Sequence, residues 1–321
     1  MKKLLGGFLV IATMSVPAIC SAQEYPAKPV RLIIPFAPGG ANDILGRLIG
    51  AKLSESMKQQ FIIDNRAGAG GTIGADLAAK SPPDGYTLVI GHIGTLAVNP
   101  TLYKKLPYDP VKDFQAISLF AKVASVMVIH PSLPVKSVKD LVVLAKRQPG
   151  ALVYGSGGNG GAGHLATEYF KLMAKVDMGH VPYKGTGPAL VDLLAGQTQM
   201  VFAGVPGAVA HIKTGRLRAL GVSTSNRLPT LPDVPTVGET LPGYEATQWY
   251  GVLAPRGTPT AIVSRLNREI GDSLKDPKVQ ERLVSGGSEP FASTPEEFAA
   301  YIKSEIAHWA PIIKAADIRV D

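Results

Sequence analysis

Cysteine is almost missing from this 321-residue chain: the single one, Cys20, falls inside the N-terminal apolar stretch. A chain that loses that stretch keeps no thiol. That excludes disulfide staples, thiolate nucleophiles and Cys-ligated metals, and leaves stability to the hydrophobic core. Histidine is sparse as well, six residues at 92, 130, 164, 180, 211 and 308. No two of them form an H-x-x-x-H or H-E-x-x-H pair, so a metal centre has no signal and no cofactor is expected. A G-x-x-x-x-G-K-[ST] motif is also absent, which rules out a P-loop. Beyond the first ~20 residues no apolar run is long enough to span a bilayer. Lys and Arg outnumber Asp and Glu by 33 to 25, a net charge of +8. The excess forms no basic run or basic helix, so nucleic acid is not an expected partner and the charge reads as a mild attractant for small anions. The 35 Gly and 26 Pro follow no fixed period, which excludes collagen-like and repeat architectures and points to many tight loops.

What is present begins with an export signal. Lys2 and Lys3 precede an apolar stretch over residues 4–16, then Pro17 and the small residues Cys20-Ser21-Ala22, matching cleavage after Ala22. Lipid attachment at Cys20 is the lesser alternative, because Ile19 suits it poorly. The mature chain is expected to be soluble and periplasmic. The full 321-residue sequence is 45% hydrophobic, enough for a sizeable core, and its length suggests two domains.

From residue 30 the pattern alternates between strands and helices. Residues 30–34 read as a buried strand, followed by a loop ending Pro38-Gly39-Gly40 and a helix with Asn42 as its N-cap. A second strand over residues 61–63 leads to Gly68-Ala69-Gly70-Gly71, a helix over residues 72–80 and a strand over residues 86–90. This βαβαβ order predicts a mostly parallel, doubly wound sheet. After extended segments between residues 117 and 129 the pattern restarts: a helix over 138–146, a strand over 152–154, the glycine loop 155–163, a helix, and further alternation to residue 222. The Pro-rich stretch 228–242 reads as a surface connection and the C-terminal third as mainly helical. Two α/β lobes in series, each opening on a strand and a glycine-rich turn, predict a cleft between facing lobes.

The glycine loops carry the chemistry. Gly155-Ser156-Gly157-Gly158-Asn159-Gly160 satisfies G-x-G-x-x-G. The acid that a dinucleotide site needs at the end of the next strand is missing: that strand runs into Pro182-Tyr183-Lys184-Gly185, and Asp177 precedes it. Without a nucleotide, three glycine-rich turns that feed helices still let backbone amides approach an anion. Asp43 is expected to hydrogen-bond loop amides or cap its helix. Ser156 and Asn159 suit neutral hydrogen bonds to a carboxylate. Lys184 is either a second anion contact or solvated surface, and His164 either packs at its helix start or lines the cleft. Trp249 and Tyr250 either floor the cleft or pack in the core. Gly71, His92 and Thr95 complete the set placed at the cleft. No nucleophile–base pair is evident, and Ser156 lacks a G-x-S-x-G elbow.

Nine motifs in register then resemble one family. Pro35-Phe36-Ala37-Pro38-Gly39-Gly40 with Asp43 and Arg47 is similar to the first-loop signature of the Bug-type (TctC-like) substrate-binding proteins of tripartite tricarboxylate transporters. So are Asn65-Arg66-Ala67-Gly68-Ala69-Gly70-Gly71, Pro83-Asp84-Gly85-Tyr86-Thr87-Leu88, Val181-Pro182-Tyr183-Lys184-Gly185 and Leu231-Pro232-Asp233-Val234-Pro235-Thr236, among others between residues 25 and 315. The resemblance implies a two-lobed, hinged periplasmic binding protein of the Venus flytrap type. Residues 23–124 with 224–321 would form one lobe and residues 125–223 the other. It implies that Phe36, Gly39, Gly40, Ala41 and Asp43 form the first ligand loop, and that Ser156, Gly157, Asn159 and Gly160 face them. The partners implied are a small carboxylate and the membrane subunits of an ion-gradient-driven transporter, with the binding protein a monomer and not an enzyme. An exported hydrolase is the alternative, and a signalling receptor domain a distant third. One departure stands out: many relatives carry Asp after the Phe of the M-x-F strand, where this chain has Phe202-Ala203-Gly204. Ala203 and Gly204 are therefore expected on the cleft wall, disfavouring a ligand with an amino group. Ala203→Asp is expected to weaken binding.

Overall fold

A computed structural model describes residues 25–316 and 318. The expected export signal, with Cys20, lies outside the described residues. The first strand, β1 (Val30–Ile34), is aliphatic throughout and fully buried apart from Arg31. It pairs in parallel with β2 (Phe61–Asn65) and β3 (Thr87–His92), joined by α1 (Ala41–Met57) and α2 (Thr72–Ala79). Leu45, Ile49 and Leu53 recur every four residues along α1 and bury one stripe against the sheet. A 3₁₀ turn, Ala69–Gly71, precedes α2; a π-helical turn, Gly94–Val98, and the short α3 (Asn99–Leu102) follow β3.

The chain then runs through β4 (Phe114–Val123) directly into β5 (Ser125–Ile129), passing from one sheet to the other at Ala124. The second sheet is completed by α4 (Val138–Arg147), β6 (Val153–Ser156), α5 (Ala162–Ala174), β7 (Gly179–Pro182), α6 (Thr186–Leu194), β8 (Met200–Gly204), α7 (Val205–Lys213) and β9 (Arg218–Val222). After the connection that follows β9, β10 (Gln248–Pro255) re-enters the first sheet. There follow α8 (Thr260–Lys275), α9 (Pro277–Ser285), β11 (Ser288–Pro290) and α10 (Pro295–Ala315). The strand orders are β11-β4-β10-β3-β1-β2 and β7-β6-β8-β5-β9.

Both sheets are mixed but run mostly one way, four of six strands in the first and four of five in the second, as expected of mostly parallel sheets. In the first, β10 runs antiparallel to β3 and β4, and β11 antiparallel to β4. In the second, β5 runs antiparallel to β8 and β9, while β6 is parallel to β7 and β8. A parallel partner needs a crossover on the same sheet, whereas a strand arriving from the other sheet inserts antiparallel without one. β10 is also the strand that the helical reading of the C-terminal third missed. All eight of its residues are buried, so it lacks the alternation of a half-exposed strand. Trp249 and Tyr250 are fully buried on it, and the Trp249 indole N–H donates to Glu305 on α10 at 2.8 Å.

Two serines and a glutamine tie the passes together. Ser125 N–H donates to Ser223 Oγ at 2.9 Å, Ser223 N–H to Ser125 O at 2.8 Å, and Gln248 Nε2 to Ser125 Oγ at 2.6 Å. On the outside, α10 lies along β4 with Phe298, Ile302, Trp309 and Ile313 buried. Its first turn is held by a reciprocal box: Thr294 Oγ1 accepts from Glu297 N–H at 3.1 Å, and Glu297 accepts from Thr294 N–H at 2.9 Å. Thr294→Ala is expected to cost about 1 kcal/mol. The urea midpoint measures it, and an unchanged midpoint would show that packing alone starts the helix. Among the described residues no helix is long and apolar enough to cross a membrane.

Candidate functional site

Five helices start where the two sheets face each other: α1 and α2 on one side, α5, α6 and α7 on the other. Each is preceded by a glycine (Gly40, Gly71, Gly161, Gly185 and Gly204), and none has a side chain capping its first amides. Elsewhere α4, α9 and α10 begin on Ser137, Asp276 and Thr294, each with its side chain accepting from a first-turn amide. An uncapped helix start leaves N–H groups and the positive end of the helix dipole available to an acceptor. Five of them converging make an anion cradle without a cationic side chain.

The glycines are also what lets the halves meet. A methyl at Gly39 would stand 3.5 Å from Gly187 Cα, one at Gly40 3.4 Å from Thr186 Cβ, and one at Gly204 2.8 Å from Ala41 Cβ. Gly70, at φ +60°, lies where a methyl would overlap the carbonyl oxygen of Asn159 in the facing loop. Ala37 N–H donates to Lys184 O at 2.9 Å across the same junction.

The loop 36–43 is braced from within. Asp43 accepts from Gly39 N–H at 3.2 Å, Arg47 Nε at 3.0 Å and Asn65 Nδ2 at 3.1 Å, and Asn65 Nδ2 also reaches Phe36 O at 2.9 Å. Burial opposes the charge on Asp43, but the bonds from Arg47, Asn65 and Gly39 prevail and hold its carboxyl below the usual carboxylate range. This is the amide-bracing role expected of Asp43. The helix cap is different: it is Gly40, and Asn42 sits inside the first turn, buried, with Oδ1 lacking a hydrogen-bond partner. Beneath the loop, His92 is fully buried between the rings of Phe36 and Tyr250, at 4.7 and 5.8 Å. Thr95 N–H donates to His92 Nδ1 at 3.3 Å, and Thr95 is buried beside Phe36 at Gly71. Phe36, Gly39, Gly40, Ala41, Gly71, His92 and Thr95 are thus gathered in one place on the first sheet's side.

On the other side the outcome differs residue by residue. Ser156 is fully buried, and its hydroxyl is engaged inside its own half: Oγ lies 2.6 Å from His180 Nε2 and accepts from Gly158 N–H at 3.1 Å. It therefore shapes the loop rather than offering a free hydroxyl to a ligand. Gly157 and Gly160 are buried in that loop, and half-buried Asn159 turns its carbonyl towards Gly70. His164 is buried at the start of α5, where Nδ1 accepts from Gly160 N–H at 3.2 Å. The side chain of Lys184 is exposed, and only its backbone takes part in the junction. Ala203 is fully buried in an apolar cluster with Val126, Val201, Leu190 and Val205, which corrects its placement on the cleft wall. Its neighbour Gly204 does reach the junction, as the residue before α7. In strand β8, Phe202 and Ala203 must face opposite sides, and Phe202 packs on the α5 side against Phe170 and Tyr244.

His180 escaped the sequence reading because its partners are 24 and 16 residues away. It stacks between Tyr154 at 4.6 Å and His164 at 4.3 Å. Its bond to Ser156 is the nucleophile–base geometry that no motif signalled. Burial, with His164 beside it, drives the imidazole down to about 3 despite Glu168 nearby, far from the range of an effective general base at neutral pH. Burial holds His92 and His164 at about 4. These groups are neutral when folded and bind protons when unfolded below their ordinary value of 6.5. Stability is therefore expected to be flat above pH 6.5 and to fall as the pH drops towards 4. Each group contributes up to about 1.4 kcal/mol per pH unit in that window. Urea unfolding at successive pH values checks this. His164→Gln, which keeps an acceptor for Gly160 and cannot titrate, should reduce the slope, and an unaltered slope would remove His164 from the account. Among the described residues no group of three or more His, Cys, Asp or Glu side chains is placed to hold a metal ion.

Comparison with known proteins agrees with this geometry. The chain is 38% identical over 308 residues to Protein BugT of Bordetella pertussis, covering 95% of this chain and 94% of the relative. Among solved structures it is similar to R. palustris Rpa4515 with adipate, at TM-score 0.90 and 41% identity over 92% of this chain and 99% of that one. It is also similar to MatC of Rhodopseudomonas palustris with bound malate, at TM-score 0.86 and 33% identity over 90% of this chain and 100% of that one. Residues 45–318 match the family described as tripartite tricarboxylate transporter family receptor. The chain belongs to that family, the TctC receptors.

Proposed function

We propose that this protein is a periplasmic solute-binding protein that captures a small di- or tricarboxylate, or an aromatic acid, between its two lobes. It then delivers the acid to the membrane subunits of a tripartite tricarboxylate transporter. The observation that carries this reading is the convergence of five glycine-preceded, side-chain-free helix starts, α1, α2, α5, α6 and α7. Adipate and malate in two relatives are dicarboxylates, and two anionic ends suit a cradle with amides on both sides. Residues 23–124 with 224–321 and residues 125–223 are the proposed lobes. The hinge is at the two passes between the sheets, and a signal over residues 1–22 directs export. Transport rather than turnover fits the Ser156–His180 pair, whose imidazole is held at about 3 and whose serine is fully buried.

The test is thermal unfolding of residues 23–321 with C4–C6 dicarboxylates, citrate and benzoate, each beside its amide or ester. At ~100 times the dissociation constant a ligand specific for the folded state adds about 2.7 kcal/mol. Stabilisation by a free acid and not by its ester, with the acid recovered unchanged, is expected. Stabilisation by the ester alone, or conversion of the acid, would replace capture with the hydrolase reading.

A further inference from the structure

We propose that the groove between α6 and α7 is where the closed protein docks on a membrane subunit of its transporter. It takes an apolar segment of that subunit that carries a carboxylate. The groove is open and has a volume of about 840 Å³. α6 and its C-cap contribute Pro188, Val191 and Ala195, α7 and the turn after it contribute His211 and Arg216, and the other half contributes Pro38.

The chemistry of the partner follows from α6, which is apolar on both faces. Ala189, Leu190 and Leu193 are buried in the apolar cluster on one face of the second sheet. Pro188, Val191 and Ala195, spaced three and four residues apart, make a second apolar stripe along the groove. Val191 is 64% exposed, the most exposed large hydrophobic side chain among the described residues. A helix that is apolar all round belongs in an interior or against a partner. Charge narrows the choice. The one acid in the groove, Asp192, is taken: it accepts from the Tyr183 hydroxyl at 2.6 Å. Arg216 is exposed and has no carboxylate partner among the described residues. An unpaired guanidinium beside an apolar stripe complements a segment that offers an aliphatic or aromatic anchor and one Asp or Glu.

The occupant is chosen by the fact that both halves build the groove. A methyl on Gly187 would stand 3.2 Å from Gly39 Cα, and one on Gly207 3.3 Å from Gly39 O. The tip of the first half's loop is therefore held between α6 and α7, and its contact continues the junction between the halves. On the two-lobed capture reading, on which this inference rests, parting the halves withdraws Pro38 and Gly39 and leaves the groove incomplete. A partner fitted to the complete groove binds the loaded protein in preference to the empty one. The component that has to make that distinction is the membrane part of the tripartite transporter that this family of receptors serves.

The experiment is photo-cross-linking of the full chain in its native host. The probe is p-benzoylphenylalanine in place of Val191, and cross-linked species in the membrane fraction are identified by mass spectrometry. A membrane subunit of a tripartite tricarboxylate transporter is the expected product. Its yield should exceed at least about tenfold that from the same probe at Val143, exposed on α4 across the second sheet. Arg216→Glu should cut the yield from position 191 at least about tenfold, Arg216→Lys much less, and neither surface change should move the melting temperature. Gly70→Ala tests the need for closure: its methyl would overlap Asn159 O in the facing loop, away from the groove, so it too should cut the yield severalfold. No membrane-subunit product from position 191, equal yield from 143, cross-linking to a soluble protein alone, or a yield untouched by Arg216→Glu overturns the docking surface. A yield untouched by Gly70→Ala overturns its dependence on closure. Failure of every carboxylate in the thermal screen removes the capture reading; the cross-link needs no identified ligand and is judged separately.

Discussion

Gly187→Ala is expected to weaken carboxylate capture about 10- to 100-fold while leaving the ligand-free protein as stable as before, or slightly more so. Gly187 is the second residue of α6, with ordinary helical backbone. Alanine suits that backbone better than glycine, by up to about 1 kcal/mol. The difficulty lies across the junction. A methyl there would overlap the carbonyl oxygen of Pro38, and its other near neighbours are Pro38 C at 3.1 Å and Gly39 Cα at 3.2 Å, all on the facing half. Backbone atoms held in a braced loop yield little, and overpacking of this kind costs about 1–3 kcal/mol. The penalty falls on the arrangement in which the halves meet and not on either half alone. The fraction of molecules able to close drops, and the apparent dissociation constant rises in proportion. Calorimetric titration with the acid found in the thermal screen, beside the melting temperature without ligand, checks both halves of the expectation. Undiminished affinity would mean that the junction does not tighten on the ligand.

The same substitution one helix earlier should have the opposite outcome. Gly163 is likewise the second residue of its helix, α5, and a methyl on it would overlap the carbonyl oxygen of Phe202. Phe202 belongs to β8 of the same half, and its ring is packed against Phe170 and Tyr244. The clash is then present whether or not the halves meet, so Gly163→Ala is expected to destabilise the fold by about 1–3 kcal/mol. The urea midpoint should fall accordingly, and any ligand affinity measured well below that midpoint should change less than in Gly187→Ala. If the two variants behave alike, the division of contacts between folding and closure is wrong. The pair tests one principle: a glycine's role depends on which half of the molecule its missing Cβ would meet.

The reason lies in how each kind of information is stored. Alternating apolar runs and glycine turns act over a few residues, so β1, α1, β2, α2 and β3 were legible almost to their ends, as were the glycine loops at their helix starts. Asp43 was legible too, because its amide partner, Gly39, is four residues away. Nine ordered motifs made the family legible from residue 25 to 315. The cap of α1 was misplaced because Asn42 and Gly40 are both plausible caps, and only the loop's approach to Thr186 selects the one without a side chain.

By itself, then, the sequence determined the α/β alternation, the glycine loops that expose amides, and the family. Tertiary structure decided which side chains meet. It set β10 between β3 and β4, and a strand buried on both faces has no period to read. It turned Ala203 into an apolar cluster, because the direction of a strand side chain follows from register with its neighbours. It brought His180 to Ser156, leaving that serine no free hydroxyl, and left Lys184 outside with only its carbonyl at the junction. These outcomes depend on contacts between segments tens to hundreds of residues apart, and local pattern carries no record of such distances.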